Sequence, residues 1–346
     1  MDGFVFLLFQ KTQNPLEKPA LHCILSLRDC SLCCLLYYIH RTGRVLWPYP
    51  PRMTTLAATH GNWAQVKAAN PLNYYRSFLA QNIRPDGRTF LQRRPVSIRS
   101  GAITTSNGSC LTKIGATSVL AAIKLEVSPP LNATPTSGFL EVSVQLTPLC
   151  SPRFKVGKPS DEAFALQQHL QRVLVEGHVL DLEQLCIEEG KAVWNIKLDV
   201  ICLNHDGGCD DAALLAAVGA LQDLTLPTTV TKVEDEQQSS RGVVVDIDPT
   251  GPVSALSLGG VPLPVTYGRI GKHWIVDPTA EEEEWMEALV TVVVGGGAGE
   301  EERVYSVYKP GGAPVAMASV EEALDNARHV SQEALAAMVG MSNEEE

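Results

Sequence analysis

The sequence of 346 residues has no long hydrophobic run and a modest share of charged residues. No uninterrupted apolar stretch approaches the ~18 residues that a membrane-spanning helix needs, which excludes a membrane-spanning protein. Charged residues make up 19% and hydrophobic residues 45% of the chain. That apolar fraction is ample for a packed core and disfavours a mostly disordered chain, and the length is typical of two domains.

Motifs of nucleotide and metal sites are also missing. No G-x-x-x-x-G-K-[ST] loop occurs, and the glycine-rich stretch Gly295–Gly299 runs into acidic residues, as a flexible hairpin would. His169, His178 and His205 are not spaced with cysteine or aspartate as metal ligands or nucleophile partners are. The sequence therefore predicts no metal and no cofactor.

The nine cysteines do not form a disulfide framework. Five are scattered through apolar contexts, as free thiols in a reducing compartment are: Cys110, Cys150, Cys186, Cys202 and Cys209. The other four crowd the N-terminus, where the single pair Cys30 and Cys33 lacks the second pair of a structural zinc site.

Residues 1–52 differ from the rest of the chain. Asp2 stands where a signal peptide has positive charge, and the apolar burst Phe4–Phe9 is too short for a signal core. We expect either a weak organelle-targeting segment or an extension that is disordered or outside the fold, with the working protein beginning at Met53.

The net charge of −11 is unevenly distributed. Residues 1–230 carry 21 basic and 18 acidic side chains, a net of +3, whereas residues 231–346 carry 7 basic and 21 acidic side chains, a net of −14. Six arginines stand close together against the single acid Asp86: Arg76, Arg84, Arg88, Arg93, Arg94 and Arg99. Such a cluster suits either phosphate backbones or a solvated surface or protein interface. The acidic runs at Glu281–Glu284, Glu300–Glu302 and Glu344–Glu346 are typical of solubilising loops and a tail.

The hydrophobic pattern predicts strands followed by helices, twice over. Predicted elements of the first half are a helix at Pro71–Leu79, strands at Val96–Gly101, Ser109–Ile114, Ser118–Val127, Phe139–Leu146 and Lys191–Leu203, and helices starting at Ser160 and Asp210. Predicted strands of the second half are Val243–Asp246, Val253–Leu258, Val265–Ile270, His273–Val276, Trp285–Val294 and Arg303–Tyr308, before a helix capped by Ser319 and Glu322. We predict an α+β fold with helices packed on mixed or antiparallel sheets, its halves at residues 74–230 and 241–340.

From Tyr74 to about His329 the sequence resembles the RNase PH family, and more narrowly the ring subunits of the eukaryotic RNA exosome. Five segments in this order carry the resemblance: Asn82–Arg88, Gly108–Gly115, Leu198–Val200, Asp206–Gly208 and Ile275–Thr279. It implies two βαβα-type halves, in a six-membered ring around a channel with other RNase PH-like subunits. It also implies RNA-binding cap subunits, RNA and an associated exonuclease as partners, no membrane, and a location in nucleus, nucleolus and cytoplasm. Active members of the family degrade RNA from its 3′ end with phosphate as nucleophile.

The phosphate-binding positions of active relatives are altered here. Where those relatives place an Arg-Thr type pair at the first helix, this chain has Ser160, Asp161 and Glu162. Where they follow the D-G-G turn with Thr-Arg, it has Cys209 and Asp210. Acids at helix N-termini stabilise the helices but repel an anion, so we expect phosphate binding to be lost.

The carboxylates of the expected catalytic pair are depleted as well. Asp199 matches an acidic position of active members, but a second acid two residues on is replaced by Ile201. Asp206 persists, where it also suits a turn. The sequence thus predicts a degenerate site near Asp199 and Asp206.

The predicted function is a structural, catalytically inactive exosome ring subunit that lines the RNA channel and holds its neighbours. The RNA-binding candidates are Arg84, Arg88, Arg99, Arg153 and Lys155. Two alternatives stay open: an active phosphate-dependent 3′→5′ exoribonuclease, and a free-standing RNA-binding protein.

Overall fold

A computed structural model describes residues 63–157, 160–232, 244–247, 253–295 and 303–341. Predictions for the extension 1–52, the start at Met53 and the Cys30–Cys33 pair fall outside these residues, as do those for the acidic runs Glu300–Glu302 and Glu344–Glu346. The described chain begins with two short helices, α1 (Trp63–Ala69) and α2 (Pro71–Leu79).

A six-stranded sheet forms the first half, because its segments alternate between buried apolar and exposed polar side chains. Its strands are β1 (Val96–Ser100), β2 (Gly108–Ile114), β3 (Thr117–Ser128), β4 (Phe139–Leu146), β5 (Cys186–Glu188) and β6 (Ala192–Asn204). The order is β1-β2-β3-β6-β4, with β5 also on β6. Only the β4–β6 pair is parallel; the other pairs of this sheet are antiparallel.

The second half is built on a four-stranded antiparallel sheet. Its strands are β11 (Pro262–Ile270), β12 (His273–Val276), β13 (Ala288–Gly295) and β14 (Arg303–Tyr308), in the order β12-β11-β13-β14. Two small antiparallel pairs lie between the halves in sequence, joining β7 (Thr225–Leu226) to β10 (Ser254–Ala255) and β8 (Thr229–Lys232) to β9 (Val244–Ile247).

Four further helices lie in the part of the chain that the structure describes. They are α3 (Asp161–Gln171), extended by a π-helical turn at Arg172–Glu176, α4 (Cys209–Gln222), the short α5 (Ala280–Glu283) and α6 (Met317–Met341). A 3-10 turn at Leu182–Leu185 precedes β5. Helix α4 is buried nearly all round, because it packs against β2 and β3 of the first sheet and against β11 of the second. This shared helix joins the two sheets.

The α+β architecture predicted from the sequence is confirmed, and most strand ends lie within two residues of their predicted positions. Helix α6 begins at Met317, so the predicted cap Ser319 lies inside the helix and that prediction is wrong. The strand predicted from Trp285 starts at Ala288, because the residues before it form α5 and a turn. The boundary between halves 74–230 and 241–340 stays a prediction; the described residues from Ala64 onward belong to one compact unit. Among them, no helix combines the length and the apolar character needed to cross a bilayer.

Candidate functional site

The turn between β6 and α4 presents a helix N-terminus close to the second half of the chain. Gly207 and Gly208 have φ angles of +76° and +61°. A Cβ atom at Gly207 would lie 2.5 Å from the carbonyl oxygen of Pro278. Glycine meets both demands, the left-handed backbone and the close approach. The unpaired N–H groups at such a helix start attract anions.

A carboxylate of the protein itself occupies this helix N-terminus. The N–H of Gly208, the N-cap residue of α4, donates to Oε1 of Glu283 at 2.8 Å. Glu283 is the last residue of α5. A backbone donor that already binds an internal carboxylate is not free for phosphate, and the negative charge of that carboxylate repels a second anion.

Burial raises the pKa of two carboxyl groups at this position. The pKa of Asp210 is raised to about 7 by burial and, to a smaller extent, by the charges of Asp211 and Glu162. The pKa of Glu283 is also raised to about 7, first by burial and further by Asp210, against the opposing effect of the Gly208 hydrogen bond. Burial is the main cause of both shifts, and the smaller repulsion from neighbouring carboxylates would also act on an added phosphate anion.

The start of α3, the second helix N-terminus considered as an anion site, is also occupied by groups of the chain itself. Ser160 caps the helix, its hydroxyl oxygen accepting from the N–H of Ala163 at 3.1 Å. Glu162 binds Nη2 of Arg153 at 2.5 Å, whereas Asp161 is exposed. The carboxylate of α3 whose charge reaches Asp210 is therefore Glu162 rather than Asp161.

The aromatic side chains beside Asp210 bring no positive charge. Tyr308 of β14 stacks on His169 of α3, with ring centroids 4.5 Å apart. Burial, reinforced by the charge of Arg172, lowers the pKa of His169 to about 4, so this histidine is neutral at physiological pH. Burial and the charge of Asp210 raise the pKa of Tyr308.

Arg94 ties the α4 turn to the second sheet. Its Nε and Nη2 bind the two carboxylate oxygens of Asp277 at 2.9 and 2.6 Å, and its Nη1 binds the carbonyl oxygen of Asp206 at 2.6 Å. The Arg94 side chain is 8% exposed. Although burial alone would raise it, the pKa of Asp277 is lowered by the hydrogen bonds from Arg94. This bidentate pair fixes the turn in place.

Two of the predicted RNA-binding residues bind carboxylates of the chain itself. Arg84 is fully buried, with Nε donating to Glu282 at 3.1 Å and Nη1 to a carbonyl oxygen of β12 at 2.7 Å. The Arg88 side chain is 11% exposed and binds Asp86 at 2.6 Å and Asp277 at 3.3 Å. RNA contact by Arg84 and Arg88 stays a prediction, and in this structure carboxylates of the chain itself bind both charges.

The acidic run Glu281–Glu284 is not the solubilising loop that its composition predicts. Residues Ala280–Glu283 form α5, Glu282 is buried against Arg84, and Glu283 reaches the α4 N-terminus. The sequence pattern predicted neither the burial of Glu282 against Arg84 nor the contact of Glu283 with the α4 N-terminus. The position of the run directly after the family-like segment Ile275–Thr279 was the one signal that could have indicated them.

The other three RNA-binding candidates lie on the surface. Arg99 on β1 and Lys155 are exposed. Arg153 is 47% exposed, and its guanidinium carbon lies 4.9 Å from the ring centre of Phe154. Their contact with RNA stays a prediction.

Asp199 and Asp206 do not form a carboxylate pair. Asp199 is exposed on β6, where it lies beside Ser143 of β4. The strand continues to Asn204, and at ~3.3 Å per residue this end of β6 lies about 17 Å from Asp199. Oδ2 of Asp206 lies 3.4 Å from Nη1 of Arg94 instead. Across the described ranges, no group of three histidine, cysteine or acidic side chains is placed to hold a metal ion.

Comparisons with known proteins bear on the family of this chain. Residues 92–227 match the model of the 3′ exoribonuclease family, domain 1, and residues 260–330 match domain 2 of the same family. The exosome complex component Rrp42 of Methanopyrus kandleri is 37% identical over 61% of this chain and 75% of the relative. The exosome complex component rrp43 of Schizosaccharomyces pombe is 30% identical over 76% of this chain and 93% of the relative.

A solved structure shares the fold. A chain of the Archaeoglobus fulgidus exosome with RNA bound to the active site superposes with a TM-score of 0.65 and 29% identity, covering 78% of this chain and 97% of that chain. A chain of an archaeal exosome core superposes with a TM-score of 0.62 and 26% identity. Since both family domains match in order and relatives align over most of their length, this chain belongs to the RNase PH, or 3′ exoribonuclease, family.

Proposed function

We propose that this chain is a catalytically inactive ring subunit of an RNA exosome core, of the Rrp42/Rrp43 type. Its relatives Rrp42 and rrp43 are exosome complex components. The single observation that carries the inactive role is the hydrogen bond from the Gly208 N–H to Glu283, with Asp210 beside it. This carboxylate lies at the helix N-terminus where the resemblance implies that active relatives bind phosphate.

The negative charge of a carboxylate at this position weakens the binding of phosphate. Two like unit charges ~4 Å apart at an effective dielectric of ~20 repel by about 4 kcal/mol. Every 1.4 kcal/mol corresponds to about tenfold in affinity, so one such carboxylate lowers phosphate binding by up to several hundredfold when it is ionised. Arg153 offsets this repulsion only in part, because its guanidinium is bound to Glu162.

The partners follow from the family and are part of this proposal. The chain joins other RNase PH-like subunits in a six-membered ring, with RNA-binding cap subunits and an associated exonuclease that cuts the RNA. It works in nucleus, nucleolus and cytoplasm, supporting rRNA maturation and mRNA turnover. Among the candidates for RNA contact, Arg99, Arg153 and Lys155 have exposed side chains.

Affinity purification of the full chain from native extract tests the proposal. We expect stoichiometric recovery of RNase PH-like subunits by mass spectrometry, and no phosphate-dependent RNA shortening by the isolated chain. Consumption of RNA only when phosphate is supplied would establish the active exoribonuclease instead. A monomeric hydrodynamic size in extract would favour a free-standing RNA-binding protein.

RNA crosslinking to the assembled ring tests the surface residues. The double variant Arg153→Glu with Lys155→Glu should reduce crosslinking to this subunit, because each reversal replaces attraction to phosphate with repulsion. Lys191→Glu, a charge reversal at another exposed position, is the matched control. Equal crosslinking of all three proteins would remove Arg153 and Lys155 from the RNA path.

A further inference from the structure

Several hydroxyl-bearing residues of this chain stand directly before a proline, the dipeptide that proline-directed protein kinases recognise. There are four: Ser128, Thr134, Thr147 and Ser151. Only Ser151 is followed by basic residues within the next four positions, Arg153 and Lys155. A phosphate group on Ser151 would therefore have positive charge close to it in the sequence.

Ser151 lies on an exposed loop between β4 and α3. Residues 147–157 form neither helix nor strand, and two of their side chains are almost fully exposed, Leu149 at 81% and Val156 at 87%. Ser151 itself is half-buried. Among the residues that the structure describes, none is hydrogen-bonded to the Ser151 hydroxyl. Modification of this hydroxyl therefore breaks no hydrogen bond with the described part of the fold.

A turn brings Arg153 close to Ser151. The N–H of Phe154 donates to the carbonyl oxygen of Ser151 at 3.3 Å, with Pro152 and Arg153 at the centre of the turn. Serine at the first position and proline at the second are favoured in such turns. Arg153 is 47% exposed and its Nη2 binds Glu162 at 2.5 Å. Because exposed ion pairs contribute little free energy, Arg153 can exchange Glu162 for a stronger anion.

The other three hydroxyl groups are less suited to this modification. Ser128 ends β3, where it pairs with Val193, and its hydroxyl oxygen is buried. Thr147 is half-buried, and its carbonyl oxygen accepts from the N–H of Cys150 at 3.0 Å. Thr134 is exposed, but no basic residue follows it closely. Thr134 is therefore the matched control for Ser151.

We propose that Ser151 is a phosphorylation site of a proline-directed kinase, and that its phosphate takes Arg153 from Glu162. Oγ of Ser151 attacks the γ-phosphorus of ATP, the bond from that phosphorus to the β-phosphate oxygen breaks, and ADP leaves. The hydroxyl proton passes to the base of the kinase. The phosphate carries a charge of about −1.5 to −2 and three acceptor oxygens, so it competes for a guanidinium better than one carboxylate does.

The modification would change the charge of the surface that holds Arg153 and Lys155. These two side chains together carry a charge of +2, which one phosphate nearly neutralises. A surface without net positive charge loses its attraction for an RNA backbone. This consequence rests on the proposed function, in which Arg153 and Lys155 are candidates for RNA contact.

Phosphopeptide mapping by mass spectrometry tests the modification. The full chain is purified from native extract with phosphatase inhibitors, and the recombinant full chain is incubated with a mitogen-activated protein kinase and ATP. Cleavage after Glu141 separates Ser128 and Thr134 from Ser151. We expect phosphate on Ser151 in both preparations, lost from the recombinant chain in Ser151→Ala and kept in Thr134→Ala. Unmodified Ser151 in both preparations overturns the proposal.

Phosphorus-31 NMR of the phosphorylated chain tests the contact with Arg153. A guanidinium beside the phosphate stabilises the dianion, so the phosphoserine should titrate at lower pH in the wild type than in Arg153→Gln. Arg172→Gln, at an exposed arginine after α3, should leave the titration unchanged. Identical titrations of the wild type and Arg153→Gln would refute the exchange of Glu162 for phosphate.

RNA crosslinking separates this proposal from the proposed function. Rings assembled with phosphorylated chain should crosslink RNA to this subunit severalfold less than rings with unmodified chain, and phosphatase should restore the crosslinks. Rings with kinase-treated Ser151→Ala should crosslink fully. Equal crosslinking of modified and unmodified rings would refute the effect on RNA. Failure of the unmodified chain to enter a ring would instead refute the proposed function, since the mapping requires neither ring nor RNA.

Discussion

Arg84 shows how a single side chain can hold distant parts of this chain together. It lies in the turn after α2, yet its partner Glu282 is 198 residues away in sequence. Both side chains are buried, so each charge depends on the other for compensation. Removing the charge of either side chain leaves the other as an isolated buried ion. The free-energy cost of such an ion is far larger than the stabilisation that an exposed ion pair contributes.

We predict that Arg84→Met destabilises the fold by about 3–5 kcal/mol, because Glu282 is left buried without its partner. The midpoint of urea unfolding measures this loss. Arg99→Met, at an exposed arginine, should change stability by no more than about 0.5 kcal/mol. Replacing both Arg84 and Glu282 by methionine should recover much of the loss; an equally unstable double variant would contradict this explanation.

The carboxyl groups at the α4 N-terminus predict a pH dependence. Asp210 and Glu283 have pKa values raised to about 7, against about 4 in an unfolded chain. Between these values the folded protein binds more protons than the unfolded chain, so the contribution of these groups to stability is largest at low pH. That contribution is lost as the pH rises toward 7. The charges of Arg153 and Arg94 oppose the effect at Glu283 without cancelling it.

The test compares unfolding free energies at about pH 5 and about pH 7.5. Asp210→Asn with Glu283→Gln should reduce the fall in stability across this window by on the order of 1 kcal/mol or more. The exposed Asp161→Asn is the control and should leave the fall unchanged. An identical pH slope in the wild type and the double variant would show that neither group titrates in this range.

At the scale of the elements, the turn into α4 is the most constrained connection near the site. Gly207 adopts a left-handed backbone while the second-half segment Pro278–Ala280 lies against it. Gly190, in the turn before β6, has nearly the same φ of +73° but open space around it. A comparison of substitutions at Gly207 and Gly190 therefore separates the effect of backbone strain from the effect of steric contact.

Gly207→Ala is expected to destabilise the protein by more than Gly190→Ala. Both substitutions carry the left-handed backbone cost of ~1–2 kcal/mol, but at Gly207 the new methyl group would also displace the Pro278 carbonyl. Thermal or urea unfolding of the two variants gives the comparison. Equal losses would mean that the second-half segment moves away without cost.

At the scale of the whole molecule, the two sheets share α4. Its buried residues face β2 and β3 on one side and β11 on the other, and Arg94 bridges the turn before α4 to Asp277 of the second half. Neither sheet can therefore lose its packing without exposing part of α4. We infer that the two halves stabilise each other.

We predict that both halves unfold in one transition. Variants that keep only Trp194 on β6 or only Trp274 on β12, with the other tryptophans replaced by phenylalanine, report on one half each. Their fluorescence midpoints in urea should coincide with each other and with the loss of circular dichroism. Two separated midpoints would contradict the coupling through α4 and Arg94.

Local patterns explain which parts of the fold the sequence predicts well. The strands Phe139–Leu146, His273–Val276 and Arg303–Tyr308 and the helix Pro71–Leu79 lie at their predicted residues, because alternation and helix-start residues act over a few positions. The family was identified for a similar reason, because each of the family-like segments is recognised from a few neighbouring residues. The prediction failed for Ser319, where a local capping pattern lies inside a longer helix.

The sequence by itself determined the α+β class, the family and the absence of basic residues at the first turn of α4, since each depends on neighbouring residues. Only the tertiary structure decided that Arg84 is buried on Glu282, and that Glu283, 75 residues away, binds the Gly208 N–H. A charged residue has the same one-letter code whether it is solvated or paired. The partner of a buried charge is chosen by chain packing across long sequence separations, where no local pattern records it.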